Sequence, residues 1–170
     1  MVKALGALLV VSCCTLLGLV TVGRSNQRLR SLGSLLAALD QMKAELEGFL
    51  PPLPDLLGTL RLRAEQPAAE FLSQVMWLTE KKHLPVRDAW ERAAEETESL
   101  CLRPEETKAL SALGEVLGRY DAETQCAAVE RARQRLALFR ELEEKDRARK
   151  NRLSAALGAG AGITLAILLL

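Results

Sequence analysis

Chemistry has little to work with in this 170-residue chain. It holds one histidine, one tyrosine and 4% aromatic residues, and no GxxxxGK[ST] phosphate loop, so nucleotide hydrolysis by that route is excluded. His83 stands in Lys81-Lys82-His83-Leu84-Pro85, a helix end where a cation suits the dipole, and reads as a surface residue rather than a base. Cys13, Cys14, Cys101 and Cys126 make neither a metal-ligand spacing nor a secreted disulfide framework. They read as reduced thiols packed as small apolar groups. The carboxylate groups Glu95, Glu96, Glu98 and Glu141, Glu143, Glu144 lack the paired inward spacing of a di-metal site and read as exposed helix faces. The chain is expected not to be an enzyme and to need no cofactor or metal.

Two further shortages bear on fold and partners. Between residues 24 and 152 the β-branched aliphatics are only Val75, Val86, Val116 and Val129, too few for a sheet. A formal net charge of +1 argues against nucleic acid, whose binders carry a basic excess on one face.

What the chain has is segregation. Ala4–Gly23 and Leu153–Leu170 contain no charged residue, while every acidic residue and every basic residue except Lys3 lies between them. At about 1.5 Å per residue, such helices match or nearly match a bilayer core of about 30 Å. Arg24, Arg28 and Arg30 follow the first segment, and Arg147, Arg149, Lys150 and Arg152 precede the second. The positive-inside rule then puts the middle in the cytoplasm and both termini outside. The expected domains are therefore a transmembrane helix at 1–23, a cytoplasmic helical domain at 24–152 and a second transmembrane helix at 153–170. A cleaved signal peptide is the rival for the first segment, with Val10-Val11-Ser12-Cys13 resembling a lipoprotein site, but the residues after Cys13 stay apolar through Gly23. Gly158 and Gly162 form a GxxxG spacing for close packing of membrane helices, although small residues are also ordinary in such helices.

The middle reads as successive helices. Leu29, Leu32, Leu36, Leu39, Met42, Leu46 and Phe49 make an amphipathic stripe that runs on from the first segment, and Gly48, Pro51, Pro52 and Pro54 end it. A short helix over 54–65 carries Leu53, Leu56, Leu57, Leu60 and Leu62. Pro67, Pro85 and Pro104 each open a further helix. Asp121 caps the last, which runs unbroken from about Ala122 to the C-terminus with a buried stripe of Val129, Ala132, Leu136, Phe139 and Leu142. Beyond Leu142 the charged stretch to Arg152 reads as a solvated spacer of roughly 15 Å, or else a surface for a partner. Gly114 and Gly118 lie four apart in what reads as one helix, where each costs about 1 kcal/mol relative to Ala. Close approach of another helix over their shared face would compensate; the plainer reading is a frayed or kinked helix.

Several short matches accumulate in order along the chain: Lys3-Ala4-Leu5-Gly6-Ala7, Arg30-Ser31-Leu32 through Leu39, Glu45 and Leu46, Pro52-Leu53, Ala89-Trp90-Glu91, Leu113-Gly114-Glu115 with Leu117-Gly118, Asp121 and Gln125, Lys150-Asn151 and Leu157-Gly158. In order, spacing and total length the chain resembles the stage III sporulation protein AB family. The resemblance implies an all-α fold in which two transmembrane helices flank an antiparallel helical bundle like the cytoplasmic domain of type II secretion F proteins. It implies a platform in the channel joining mother cell and forespore, with a secretion-type ATPase and other channel subunits as partners, and it leaves self-association open. It adds Gln125 to Gly114, Gly118 and Asp121 as residues shaping the domain. A generic membrane-anchored adaptor for a cytosolic protein is the alternative.

Overall fold

The computed structural model describes the backbone of residues 2–48 and 51–169, with side chains described for 25–48 and 51–149. Six α-helices follow one another: α1 (Val2–Gly48), α2 (Leu53–Arg63), α3 (Ala68–Glu80), α4 (Val86–Glu96), α5 (Pro104–Gly114) and α6 (Ala122–Leu169). A single 3₁₀ turn, Glu98–Leu100, follows α4, and no strand occurs among the described residues. The turn was not expected from the sequence.

The punctuation is mostly proline, as the spacing predicts, with a shift of register. Pro104 is the first residue of α5, whereas Pro67 and Pro85 sit one place earlier, as the N-caps of α3 and α4. Where the ring stands at the cap it still leaves no helical N–H unpaired, since proline has none. Pro52 caps α2 in the same way.

The core lies between the two long helices and the four short ones. α1 and α6 run antiparallel: Lys43 meets Glu130, Asp40 meets Arg133 and Arg28 meets Glu143. The short helices pack in chain order, α2 on α3, α3 on α4, α4 on α5 and α5 on α6. Leu32, Leu35, Leu39, Met42 and Leu46 of α1 face Leu56, Leu60, Phe71, Val75, Trp90, Leu110, Leu113, Val129 and Leu136 in one continuous cluster.

Two expected core positions are instead exposed. Leu62 is 77% and Leu142 51% accessible. On α6 the buried row runs through Val129, Ala132, Leu136 and half-buried Phe139, and its next step is four residues, to Glu143, not three. Leu142 consequently turns outward beside Leu138.

Among the described residues no helix is long and apolar enough to cross a membrane. The two expected spans, with Gly158, Gly162, Cys13 and Cys14, lie outside the residues whose side chains are described. The backbones of α1 and α6 nonetheless continue without a break from the bundle into those segments.

Candidate functional site

α1 and α6 leave the bundle at one end, and there they are clasped by charge. Arg28, on the buried stripe of α1, is 7% exposed, Glu106 of α5 is fully buried, and Glu143 of α6 is 6% exposed. The Arg28 guanidinium forks: Nε and Nη2 donate to the Glu106 carboxylate, and Nη1 donates to Glu143 Oε2 at 2.6 Å. Arg103 adds Nη2 to Glu143 Oε2 at 3.2 Å, and Ser25 donates its hydroxyl to Glu143 Oε1 at 2.8 Å. Two arginines and two glutamates thus form a neutral cluster joining three helices. A planar fork that bonds two carboxylates at once is a task for arginine, which lysine would not duplicate.

Local sequence places each member. Glu106 is the third residue of α5, where its carboxylate also accepts the Arg103 backbone N–H at 2.8 Å, closing half of a capping box at a helix N-terminus that favours negative charge. The expectation that Glu141, Glu143 and Glu144 form a solvated face fails at Glu143. Glu141 and Glu144 are exposed and pair along the helix with Lys145 and Arg140, but Glu143 points at α1, which runs alongside as far as Ser25. The charged stretch after Leu142 therefore begins as part of the bundle rather than as a spacer.

The residues singled out from sequence gather at the opposite corner, around the ends of α5 and the start of α6. A Cβ on Gly114 would come within 2.6 Å of Trp90 Cβ, so α4 crosses α5 at backbone distance here. Trp90 is fully buried, donates its indole N–H to the Leu110 carbonyl at 2.9 Å, and meets Phe71 edge-to-face at 4.9 Å. Gly118 is not in a helix. α5 ends at Gly114, and Gly118 has φ +72°, a left-handed conformation that L side chains resist, in the turn to α6. With α5 ended at Gly114 and φ positive at Gly118, the two glycines do not share the one helix that their four-residue spacing suggested.

Gln125 staples this turn from α6: its carbonyl accepts the Gly118 N–H at 3.0 Å and its amide donates to the Tyr120 carbonyl at 2.6 Å. Asp121 accepts the Thr124 backbone N–H at 2.8 Å and its hydroxyl at 2.9 Å, and these bonds hold its carboxyl below the usual carboxylate range. Gln125→Ala removes both bonds of a buried side chain and is expected to cost about 1–3 kcal/mol, read as a lower midpoint in chemical denaturation.

Toward the end of the bundle away from the clasp, Lys43 of α1 bonds Glu130 of α6 at 3.1 Å, and Arg133 bonds the same carboxylate. Hydrogen bonds from Arg133, Lys43 and Gln134 bring Glu130 down to about 2. A carboxylate with a depressed folded pKa stabilises the fold above its unfolded value of about 4.3, and that contribution disappears as pH falls through about 2. The stability gap between the wild type and Glu130→Gln should thus be constant above about pH 5 and close in acid. Salt should shrink it, because the pair is partly exposed.

Among the described residues no group of three or more His, Cys, Asp or Glu is placed to hold a metal ion. His83 is exposed, with φ +54°, just past the end of α3. Cys101 and Cys126 are half-buried free thiols, and burial raises the Cys126 pKa.

An antiparallel bundle, tied by a buried ionic clasp where two continuous helices depart from it, defines a helical-bundle protein, all-helical among the described residues. The family profile described as stage III sporulation protein AB matches residues 3–170, and the chain belongs to that family. It is 27% identical, over the full length of both chains, to stage III sporulation protein AB of Bacillus subtilis (strain 168). It is also similar to a solved structure of stage III sporulation protein AB, with a TM-score of 0.63 and 25% identity, covering 72% of this chain and 98% of the other.

Proposed function

We propose that the protein is a non-enzymatic platform of the sporulation channel between mother cell and forespore, held in the mother-cell membrane by its two apolar ends. The bundle, similar in design to the cytoplasmic domain of type II secretion F proteins, faces the mother-cell cytoplasm and couples a secretion-type ATPase to the channel subunits. The observation that carries this reading is the clasp. Arg28, Glu106 and Glu143 lock the two helices that lead to the apolar ends at the level where they depart. A push on the bundle then moves both helices together, with no flexible linker to absorb it. Family membership supports a role in sporulation, and the positive flanks support the orientation.

Crosslinking and pull-down of the full chain from sporulating cells tests the proposal. Recovery of the ATPase and channel subunits is expected, with residues 24–152 protected from protease added outside the cell. Recovery of an unrelated cytosolic protein alone would favour the adaptor reading. A chain that stays in the soluble fraction would sink both.

A further inference from the structure

Two edges of the bundle differ in charge, and one carries an exposed leucine ridge while the other holds a groove. On α6 the exposed row is Arg131, Arg135, Leu138, Leu142 and Lys145. Leu138 is 55% and Leu142 51% accessible, one turn apart, with Arg135 on one side and Lys145, which also bonds Glu141, on the other. On the other edge α4 and α5 enclose an open groove of about 580 Å³. Its lining includes buried Ala94, half-buried Leu102 and exposed Pro104, with exposed Glu91, Glu95 and Glu98 against one cation, Lys108. Thr97, 7% exposed, lines the groove, and its hydroxyl has no hydrogen-bond partner.

The two edges do not meet within one chain. α5 lies between α4 and α6, packing on both. They do lie at matching levels along the bundle. The Ser99 carbonyl, just past α4, accepts from Gln27 and Ser31 of α1, and the neighbouring Arg28 meets Glu143 of α6. α4 therefore runs toward the same end as α6. Within α4, Asp88 to Glu96 covers about 12 Å of that axis, with Glu98 a little beyond it, and on α6 Arg135 to Lys145 covers about 15 Å. Two copies side by side and equally oriented would bring Arg135 toward Asp88 and Glu91, Lys145 toward Glu98, and the leucines over the groove.

We infer that the α6 leucine ridge of one copy docks in the α4–α5 groove of a second copy. The contact is head-to-tail, each copy using two different edges, so it does not stop at a dimer and instead closes a ring or runs on. The platform reading enters only in giving all copies one orientation, through apolar ends in one membrane. The charges select the occupant. Two α6 ridges would oppose Arg135 to Arg135 and Lys145 to Lys145, whereas ridge and groove neutralise each other.

Native Cys101 lines the groove and supplies the test. In the purified full chain in detergent, carrying Cys13→Ser, Cys14→Ser and Cys126→Ser, Leu138→Cys is added and a short bismaleimide applied. A ladder of dimer, trimer and larger species is expected, and Cys101→Ser should remove it. A monomer band alone overturns the inference. So does a dimer that survives Cys101→Ser, because that would place two ridges together. Light scattering gives a second reading. Arg135→Glu with Lys145→Glu should reduce the particle to monomer mass, as should Glu91→Arg with Glu98→Arg, and combining all four should restore the larger mass. Unchanged mass in the separate reversals, with normal helical circular dichroism, also overturns it. No other subunit is present in these measurements, so their failure leaves the platform proposal standing, and failure of the pull-down leaves this contact standing.

Discussion

Arg28→Ala should lower the unfolding free energy by about 3–5 kcal/mol, the largest effect expected from any single substitution in the clasp. The physical reason is what remains. Glu106 is fully buried and Glu143 nearly so, and Arg28 provides the bonds that bring both carboxylates out of water. Without it Arg103 still reaches Glu143, but Glu106 keeps only one backbone N–H. Against a total stability of about 5–15 kcal/mol for a domain, the loss takes a large share. Denaturation of the full chain in detergent measures it. Replacing the group together, as Arg28→Met, Glu106→Leu and Glu143→Leu, should recover most of the loss, because an apolar cluster of similar volume needs no partners. A triple variant no more stable than Arg28→Ala would show that the clasp stabilises by more than the pairing of charge.

Gly114→Leu should be destabilising on a comparable scale, by a different cause. The first added carbon already lies 2.6–2.9 Å from Cβ, Cγ and Cδ1 of Trp90, the rigid root of a ring rather than a flexible tip. Overpacking of a tight core costs typically 1–3 kcal/mol. Here the displaced ring would also give up its bond to the Leu110 carbonyl and its edge contact with Phe71. Gly118→Leu combines strain with collision, since φ is +72° and a Cβ would meet Leu53 Cδ2 at 2.8 Å. That contact is with the end of a side chain that can turn away, so the backbone term dominates, at about 1–2 kcal/mol. Gly118→Asn, which tolerates the left-handed region, should be milder than Gly118→Ala. If the bundle is the platform proposed here, Gly114→Leu and Gly118→Leu both abolish spore formation. Normal folding with normal spore yield in both would contradict that expectation.

How far these features could be read in advance depended on which force set each one. Helix positions followed from proline spacing and apolar rows, because both act locally, and the break at Gly48 and the unbroken run of α6 needed no tertiary information. The approach of helices over a face shared by Gly114 and Gly118 was one of two readings open in the sequence; a Cβ at Gly114 would lie 2.6 Å from Trp90 of α4, but Gly118 stands outside α5. Gly118 misled because four-residue spacing describes a helix, while only the backbone angle reveals a turn.

The clasp was missed although its phase was visible. Arg28 precedes Leu32, Leu35, Leu39, Met42 and Leu46 in alternating steps of four and three, and Glu143 follows Phe139 in the same alternation. Following the charge rather than the period put Leu142 in the core and Glu143 in water. A charged residue that keeps step with a buried row needs a partner, and that signal lies in the sequence itself. Which helix supplies the partner was not, since Glu106 lies 78 residues from Arg28.

The absence of any break in α6 between Asp121 and Leu169 has a geometric consequence. Each residue of an α-helix turns the chain by about 100° and advances it by about 1.5 Å. The angular setting of the apolar end is therefore slaved, residue by residue, to the edge on which Leu138 and Leu142 stand. One residue inserted after Lys150 would swing that end by more than a quarter turn, whereas seven would return it to within about 20° of its original azimuth, only farther out. Length alone is thus a poor measure of what the charged stretch contributes: it transmits bearing as well as distance.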